Sequence, residues 1–387
     1  MKEYLEGSQA IAKTVALCRP GVISAYPITP QTHIVEGLAQ MVADGELKAE
    51  FVNVESEHSA ASCCLGASAT GVRAYTSTSS QGLLLMAEVI FNIAGLRLPL
   101  VLTCANRAVS APINIWNDHQ DAITVRDSGW IQFYAERIQE AVDLHIQGYR
   151  LSEDKRVLLP VMVNIDGYVL THGYEVVDIP DQNLVDKFLP PYQLEHKLDP
   201  DKPLTLGVLA GPDYYMETRF AIQKTLEDVL GIIPEISNEF AKTFGRESGG
   251  LIEKYCLEDA EKVIVAMGSV CGTIKETIDE IREKGEKVGL LKIITYRPFP
   301  AEAIYQALRN AKEIAVLEKA ISLGSGGPLC TEIKSIFQTK KEKPKISGFV
   351  AGLGGRDITK KVINKVFEKL SGEQTDCEFV DLRLNNN

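Results

Sequence analysis

From about residue 20 onward, short apolar runs alternate with segments of helical periodicity. This alternation is typical of a parallel β-sheet with helices covering both of its faces. In the first half of the chain it predicts strands at 21–26, 50–54, 73–78, 99–105 and 158–165, and helices at 31–43, 57–70, 82–94 and 133–150. We therefore expect an α/β fold with a doubly wound sheet.

The same alternation resumes near residue 262 and continues to about residue 370, which predicts a second α/β domain. A chain of 387 residues also exceeds the length at which one core usually stops growing. The interval between the two halves is rich in proline and poor in periodicity, so it predicts an extended linker. The expected division is 1–235, with the linker at 167–235, followed by 236–387. The three asparagines at 385–387 are predicted to be disordered.

Composition excludes several classes of protein. Hydrophobic residues make up 45% of the chain and charged residues 24%, as in ordinary globular proteins. The formal charge of −11 disfavours nucleic acid as a partner. The sequence has neither a secretory signal pattern nor a long apolar span, which predicts a cytoplasmic protein without a membrane segment. Its eight cysteines lack CxxC spacing, so we expect buried thiols and no metal ligands on this chain.

The segment YPITP at 26–30 places two prolines around one hydroxyl, directly after a predicted strand. Proline restricts its own φ and the backbone of the residue before it, so Ile28 and Thr29 are expected on a stiff turn. Ligands of open α/β sheets bind at this carboxyl end of the strands. Thr29 is therefore a candidate hydrogen-bond donor to a substrate carboxylate. The alternative is that Thr29 caps the helix that starts near Gln31.

Glu57 lies in the next segment, VNVESEHSAA at 52–61, where a strand is followed by a helix rich in small residues. A carboxylate in the first turn of this helix lies at the mouth of the sheet. Glu57 is a candidate proton donor and acceptor there, provided that burial raises its affinity for a proton. The alternative is an acid that only stabilises the helix N-terminus through the macrodipole.

Two further segments follow strands at the same predicted edge. The turn TSTSSQG at 76–82 offers hydroxyls that either bind a polar ligand or cap a helix. Arg107 follows the next strand and has a planar fork suited to a carboxylate, unless it pairs with Asp118 or Asp121. Four segments that converge on one edge predict a ligand site, with Arg107 and Thr29 binding an anion and Glu57 available for proton transfer.

These segments resemble the pyruvate:ferredoxin oxidoreductase family, and the similarity runs from about residue 4 to 369. The motifs that carry it are YPITP at 26–30, ESE at 55–57, TSSQGLLLM at 78–86 and NDHQD at 117–121. The later segments at 260–281 and 296–300 resemble the family's transketolase C-terminal-like domain. The resemblance implies a thiamine diphosphate-binding fold of the pyrimidine type, followed by that second domain.

The resemblance also implies an activity and roles for residues. The expected reaction is the CoA-dependent oxidative decarboxylation of pyruvate to acetyl-CoA and CO₂, with reduction of ferredoxin and with thiamine diphosphate as electron sink. Glu57 matches the glutamate that bonds the pyrimidine N1′ atom and favours the imino tautomer. Thr29 and Arg107 match the residues that hold the 2-oxoacid. The expected cofactor contacts are Pro27, Ile28, Glu57 and Ser80.

Two signatures of the complete enzyme are missing from the sequence. We find no GDG segment followed by paired asparagines, the usual diphosphate and magnesium motif, and no cysteine clusters for iron–sulfur centres. The resemblance is therefore to the α subunit of a multi-subunit enzyme. It implies a β subunit that supplies the diphosphate site, Mg²⁺ and iron–sulfur clusters, further γ and δ subunits, and ferredoxin docking on a partner.

Two alternatives to pyruvate oxidation stay open. A branched-chain 2-oxoacid (2-oxoisovalerate):ferredoxin oxidoreductase has α subunits with nearly the same motifs. A catalytically idle assembly subunit would keep the fold, although packing alone requires none of Thr29, Glu57 and Arg107. A 2-oxoglutarate enzyme is disfavoured because those relatives usually lack the NDHQD loop at 117–121.

Overall fold

The computed structural model describes residues 2–384. The first half contains β1 (Lys2–Glu6), α1 (Gly7–Leu17), β2 (Val22–Ala25), α2 (Thr32–Ala43), β3 (Glu50–Asn53), α3 (Glu57–Ala69), β4 (Ala74–Thr78), α4 (Ser80–Leu85), α5 (Ala87–Gly95), β5 (Val101–Asn106), α6 (Gln120–Thr124), β6 (Ile131–Tyr134), α7 (Ile138–Ser152), β7 (Val161–Asp166), β8 (Tyr174–Asp178) and α8 (Gln182–Phe188). The second half contains α9 (Pro212–Phe244), β9 (Ile252–Tyr255), β10 (Lys262–Ala266), α10 (Val270–Arg282), β11 (Val288–Ile293), β12 (Thr295–Arg297), α11 (Ala301–Leu308), β13 (Glu313–Glu318), α12 (Pro328–Gln338), β14 (Lys345–Val350), α13 (Lys360–Leu370) and β15 (Glu378–Phe379).

The first sheet has seven strands in the order β12-β6-β7-β5-β4-β2-β3. Every pair in it is parallel except β12 with β6. Strands β4, β5 and β7 are buried along their whole length, as expected for a sheet with helices on both faces. The carboxyl ends of β5, β4, β2 and β3 are neighbours, so the segments that follow them share one edge.

The second sheet has the order β15-β14-β13-β10-β11-β9 and is parallel except for β9. One hydrophobic cluster joins the two sheets, because it contains Leu102 and Met162 from the first and Val265, Leu291 and Ile314 from the second. Directly after β11 the chain crosses back and adds β12 to the first sheet. The domains therefore share both a core and a strand, and burial of this common apolar surface holds them together.

The segment predicted as an extended linker contains regular structure. It includes β8, α8 and most of α9, and the predicted boundary after residue 235 falls inside this 33-residue helix. Pro212 lies at the first helical turn, where its missing N–H costs no hydrogen bond. The buried residues Val229, Ile236 and Phe240 follow helical spacing, which the prolines obscured. We propose that the domains divide after α9, at Gly245.

Two other differences from the sequence prediction lie in the first domain. The chain begins with β1 and α1, which were not predicted, and β1 pairs antiparallel with β8. The helix expected at 133–150 starts later, at Ile138, because residues 131–134 form β6. No helix within residues 2–384 is long and apolar enough to span a bilayer. The disorder predicted for 385–387 lies outside the described residues.

A buried ion pair also joins the two domains. The carboxylate of Asp166, at the end of β7, is 1% exposed and accepts a hydrogen bond from Lys319 Nζ at 2.9 Å. His119 Nε2 lies 2.7 Å from the same carboxylate, and Ser269 N–H donates to it at 3.1 Å. Burial by itself raises the pKa of Asp166, but the charges of Lys319 and His119 outweigh it and hold this pKa well below its ordinary value.

Replacing Lys319 by methionine should destabilise the protein, because it leaves the buried Asp166 carboxylate with only His119 to offset its charge. We expect the free energy of unfolding to fall by about 3–5 kcal/mol in urea denaturation. The matched control is Lys312→Met, which removes an exposed pair with Glu261 at 2.7 Å. That change should cost less than about 1 kcal/mol. Equal losses in the two variants would show that the buried pair contributes nothing particular to stability.

Candidate active site

The turn that follows β2 lies at the open edge of the first sheet. Tyr26, Pro27 and Thr29 are exposed there, Ile28 is half-buried, and the Thr29–Pro30 peptide is cis. Helix α2 begins at Thr32 and has no side-chain cap, so the alternative in which Thr29 caps this helix is wrong. Within residues 2–384 the Thr29 hydroxyl makes no hydrogen bond, which leaves it available to a ligand.

Gln31 ties this turn to the neighbouring strand β4. Its side-chain amide donates to Tyr26 O at 2.9 Å and to Ser77 O at 3.0 Å. The Gln31 side chain is fully buried, and its own carbonyl oxygen has no partner among the described residues. The turn is therefore fixed from behind by a buried amide while its outer face stays open.

Arg107 lies beside Thr29 and is 7% exposed. Its Nε donates to Asn114 O and its Nη1 donates to Thr29 O, both at 2.9 Å. The side chain forms no salt bridge with Asp118 or Asp121, so that alternative is also wrong. Burial lowers the pKa of Arg107, yet a guanidinium stays protonated in proteins. Nη2 makes no hydrogen bond within residues 2–384, which leaves a fixed cationic donor beside the turn that carries Thr29.

The fully buried carboxylate of Asp121 organises the ends of β4 and β5. Its Oδ2 accepts from Ser80 N–H at 2.9 Å and from Arg107 N–H at 3.0 Å. Its Oδ1 accepts from Asn106 Nδ2 at 2.9 Å and from Ala122 N–H at 2.7 Å. Burial raises the pKa of Asp121, although the four donors oppose this effect. Asp121 thus fixes the position of the Arg107 backbone and does not form an ion pair with its guanidinium.

Ser80 begins α4 with φ of 48° and is fully buried. Its hydroxyl donates to Ala108 O at 2.6 Å, so the side chain supports the loop that carries Arg107. The cofactor contacts predicted for Ser80, Pro27 and Ile28 stay predictions.

Glu57 is the first residue of α3, and its neighbour Ser56 caps this helix by accepting from Ser59 N–H at 3.2 Å. The Glu57 side chain is 7% exposed but has no hydrogen bond or ion pair within residues 2–384. Its Oε1 lies against Gly82, where a Cβ atom would come within 2.6 Å of it. Buried polar groups are normally paired, so this carboxylate is an acceptor that lacks a donor.

Other polar atoms in the segments around Glu57 also lack partners. Within the described residues, eleven buried side-chain atoms have none, and five of them belong to these segments: Gln31 Oε1, Thr76 Oγ1, Ser77 Oγ, Thr78 Oγ1 and Gln81 Nε2. Thr78 Oγ1 would lie 2.5 Å from a Cβ on Gly82, so it shares the surroundings of Glu57. Such a group of unsatisfied donors and acceptors is typical of a site for a polar ligand.

Gln31, Gly82 and Asp121 are further parts of the candidate site that the sequence did not predict. Gln31 directly follows the YPITP motif, so its position in the sequence could have indicated that it belongs to the site. The role of Gly82 depends on a missing Cβ atom beside a residue distant in sequence, so no local pattern indicates it. Asp121 was considered only as an ion-pair partner of Arg107, whereas it binds backbone N–H groups.

A family model described as pyruvate flavodoxin/ferredoxin oxidoreductase, thiamine diphosphate-binding, matches residues 13–238. This range contains every segment of the site. A second model, pyruvate:ferredoxin oxidoreductase core domain II, matches residues 260–363. The fold and the match together define an α/β protein of the thiamine diphosphate-binding class.

Curated relatives narrow this class to a family. Pyruvate synthase subunit PorA of Methanothermobacter thermautotrophicus is 52% identical over 381 residues, which cover 98% of each chain. PorA of Methanosarcina barkeri is 51% identical and covers 98% of this chain and 96% of its own. Ketoisovalerate oxidoreductase subunit VorA of Pyrococcus horikoshii is 41% identical, over 96% of this chain and 94% of its own. The chain belongs to the pyruvate:ferredoxin oxidoreductase family, which confirms the predicted resemblance.

Solved structures with low sequence identity share the fold. The 2-oxoglutarate:ferredoxin oxidoreductase of Magnetococcus marinus has a TM-score of 0.71 at 19% identity. The match covers 96% of this chain but only 65% of the length of that chain. An inactive split-gene transketolase has a TM-score of 0.54 at 12% identity and covers 94% of this chain and 97% of its own. These similarities confirm the predicted α/β fold class with a transketolase-like second domain.

Gly82→Ala should impair the site, because the new Cβ would collide with Glu57 Oε1 and Thr78 Oγ1. We expect weaker binding of thiamine diphosphate and a turnover about 10²-fold lower, the size of effect that a displacement of about 1 Å produces. Cofactor content and turnover of the assembled enzyme measure it. Gly95→Ala, at the end of α5, is the control because nothing lies within 4 Å of its Cβ position. A normal Gly82→Ala enzyme would contradict the close packing of Glu57 on Gly82.

Proposed function

We propose that this chain is the catalytic α subunit of a pyruvate:ferredoxin oxidoreductase. The proposed reaction converts pyruvate and CoA to acetyl-CoA and CO₂ and reduces ferredoxin. The observation that carries it is the buried, unpaired carboxylate of Glu57, which shares its sheet edge with the donors of Arg107 and Thr29. The PorA relatives at 52% and 51% identity favour pyruvate over the substrate named for the VorA relative at 41%.

The residues around Glu57 suit the aminopyrimidine of thiamine diphosphate. This ring presents nitrogen donors and acceptors, and the surroundings offer an unpaired carboxylate together with the unpaired hydroxyl of Thr78. Gly82 leaves open the space that a Cβ atom would fill. When bound, the cofactor supplies the electron sink for decarboxylation. Glu57 would hold the ring at N1′ and exchange a proton at its carboxylate oxygens.

The same cofactor would have further contacts on the edge of the sheet. Pro27 and Ile28 lie on the turn tied to β4 by Gln31, so they offer a rigid wall for a bound ring. Ser80 would support the site indirectly, since its hydroxyl donates to Ala108 in the loop that carries Arg107. The contacts of Pro27 and Ile28 and the support from Ser80 form part of the proposal.

Arg107 and Thr29 would bind the 2-oxoacid. The guanidinium is held by two backbone carbonyls, so Nη2 keeps its direction before the substrate arrives. A donor fixed in this way needs little reorganisation during the reaction, which is the basis of electrostatic preorganisation. The carboxylate of the substrate would pair with Nη2, and the Thr29 hydroxyl would donate to its carboxylate or carbonyl oxygen.

The remaining parts of the enzyme would lie on other subunits. The open edge at Pro27 and Thr29 supports a site that a partner completes, and the relatives are themselves named as subunits. We assign the diphosphate site, Mg²⁺ and iron–sulfur clusters to a β subunit, with γ and δ subunits completing the complex and ferredoxin docking on a partner. All eight cysteines are free thiols, which fits a reducing cytoplasmic compartment.

The experiment that tests this function uses the complex purified anaerobically with its partner subunits. CoA-dependent reduction of a viologen dye is compared for pyruvate, 2-oxoisovalerate and 2-oxoglutarate. We expect the highest kcat/KM with pyruvate. A preference for 2-oxoisovalerate would support the branched-chain alternative and keep the mechanism. No turnover from a complete, thiamine-loaded complex would disprove the catalytic assignment.

Glu57→Gln should lower kcat at least about 10²-fold, because an amide cannot accept and return a proton. The variant keeps the shape of the side chain, so the complex should still assemble, as size-exclusion chromatography would show. Glu55→Gln is the matched control, because Glu55 belongs to the same ESE motif but is exposed and bonded to Ser59. An assembly subunit without a catalytic role would lose nothing in either variant.

Arg107→Lys should raise KM for pyruvate at least about tenfold, a loss of about 1.4 kcal/mol. Lysine keeps the charge but cannot donate to Asn114, Thr29 and a carboxylate in one planar arrangement. Arg126→Lys is the control, since Arg126 also donates to a backbone carbonyl, Ile123 O at 2.9 Å, away from this edge. Steady-state kinetics on the complex distinguish the two. An unchanged KM in Arg107→Lys would remove Arg107 from substrate binding.

A further inference from the structure

Glu6, His33 and His172 meet close to the turn that carries Thr29. Glu6 ends β1, His33 is the second residue of α2, and His172 lies in the loop between β7 and β8. One ligating atom from each of the three side chains lies within 4.8 Å of the other two. Two imidazoles and one carboxylate form a donor set that proteins use for divalent transition metals.

The backbone around two of these residues is fixed by hydrogen bonds. Glu6 pairs with Tyr174 across the β1–β8 ladder, and the following Gly7 N–H donates to Gly173 O at 3.0 Å. His172 immediately precedes Gly173, so this ladder holds Glu6 and His172 in register. The backbone of the site is therefore largely preformed, so metal binding would cost little conformational entropy.

The side chains are arranged as a ligand set requires. His33 Nδ1 lies 2.8 Å from Glu6 Oε1, and the rings of His33 and His172 have centroids 4.8 Å apart. Thr171 Oγ1 lies 2.7 Å from His172 Nδ1, the kind of outer hydrogen bond that orients a ligand imidazole and leaves its Nε2 for the ion.

We propose that Glu6, His33 and His172 bind one divalent transition-metal ion of the zinc type. The site supplies three protein ligands and leaves the remaining coordination to solvent, because the His33 side chain is 47% exposed. It is distinct from the magnesium that we assign to a partner subunit. The alternative without a metal is a hydrogen bond between His33 and Glu6, with the imidazole of His172 packed beside it.

A metal here would join the first strand to the rim of the active site. The ring of His172 packs on Tyr168 with centroids 4.8 Å apart, and Tyr168 packs on Trp116 with centroids 6.3 Å apart. Trp116 in turn lies on the loop of Arg107, since its carbonyl accepts from Ala108 N–H at 3.0 Å. The proposed role is a cross-link of β1, α2 and the loop after β7, and not a step in the reaction.

The test uses the full chain, purified without its partners, stripped with a chelator and dialysed against Co²⁺ as the probe. We expect about one Co²⁺ per chain, with the visible absorption of nitrogen- and oxygen-coordinated cobalt. His33→Ala and His172→Ala should each weaken Co²⁺ binding at least about tenfold, and Glu6→Gln should weaken it as well. The matched control is His196→Ala, because His196 is exposed and lies in the segment between α8 and α9.

The site is disproved if the wild-type chain binds no Co²⁺, or if the histidine variants bind it as tightly as His196→Ala does. Circular dichroism shows whether each variant is folded. If His172→Ala fails to fold, His33→Ala decides alone, since an exposed side chain can be removed without disturbing the core. As a second measurement, Zn²⁺ should raise the melting temperature of the wild-type chain and of His196→Ala, but not that of His33→Ala.

Discussion

The buried carboxylate of Asp121 fixes the sheet edge on which the whole site depends. Strands β4 and β5 run in register as far as Thr78 and Cys104, and beyond this point no ladder connects them. Asp121 accepts the N–H groups of Ser80 and Arg107, the residues that follow the two strands. Without it, these buried donors would each cost about 1–3 kcal/mol. The position of the Arg107 backbone at this edge therefore depends on this one carboxylate.

Glu57 lies at the same edge of the sheet, but its carboxylate differs from that of Asp121 in its hydrogen bonding. Both carboxylates are buried, but Asp121 accepts from five donors, one of them the Cys104 thiol, and Glu57 accepts from none within residues 2–384. A fold selected for stability alone would pair such an acceptor or replace it. Sites that bind a ligand commonly carry such a local cost, because the ligand supplies the missing partner. The contrast therefore separates Asp121, whose carboxylate supports the backbone, from Glu57, whose carboxylate is available to a ligand.

Periodicity was enough to predict most strands and helices, and the geometry of parallel sheets was enough to bring Thr29, Glu57 and Arg107 to one edge. It was not enough for α9, whose prolines suggested a linker, nor for β12, whose three residues show no pattern. The role of Gly82 was also hidden, because it depends on the approach of α3 to α4. Sequence patterns report local preference, whereas these features arise from contacts between distant segments.

The two domains act on the site through one loop. Within residues 117–121, Asp121 lies at the sheet edge. His119 contacts the buried carboxylate of Asp166, which also pairs with Lys319. A second route runs through Asn114, whose amide donates to Gly354 O of the second domain at 3.1 Å and whose carbonyl accepts from Arg107 Nε. Packed interiors transmit small displacements instead of absorbing them. Asn114 therefore connects the second domain to the Arg107 guanidinium, although that domain contributes no predicted site residue.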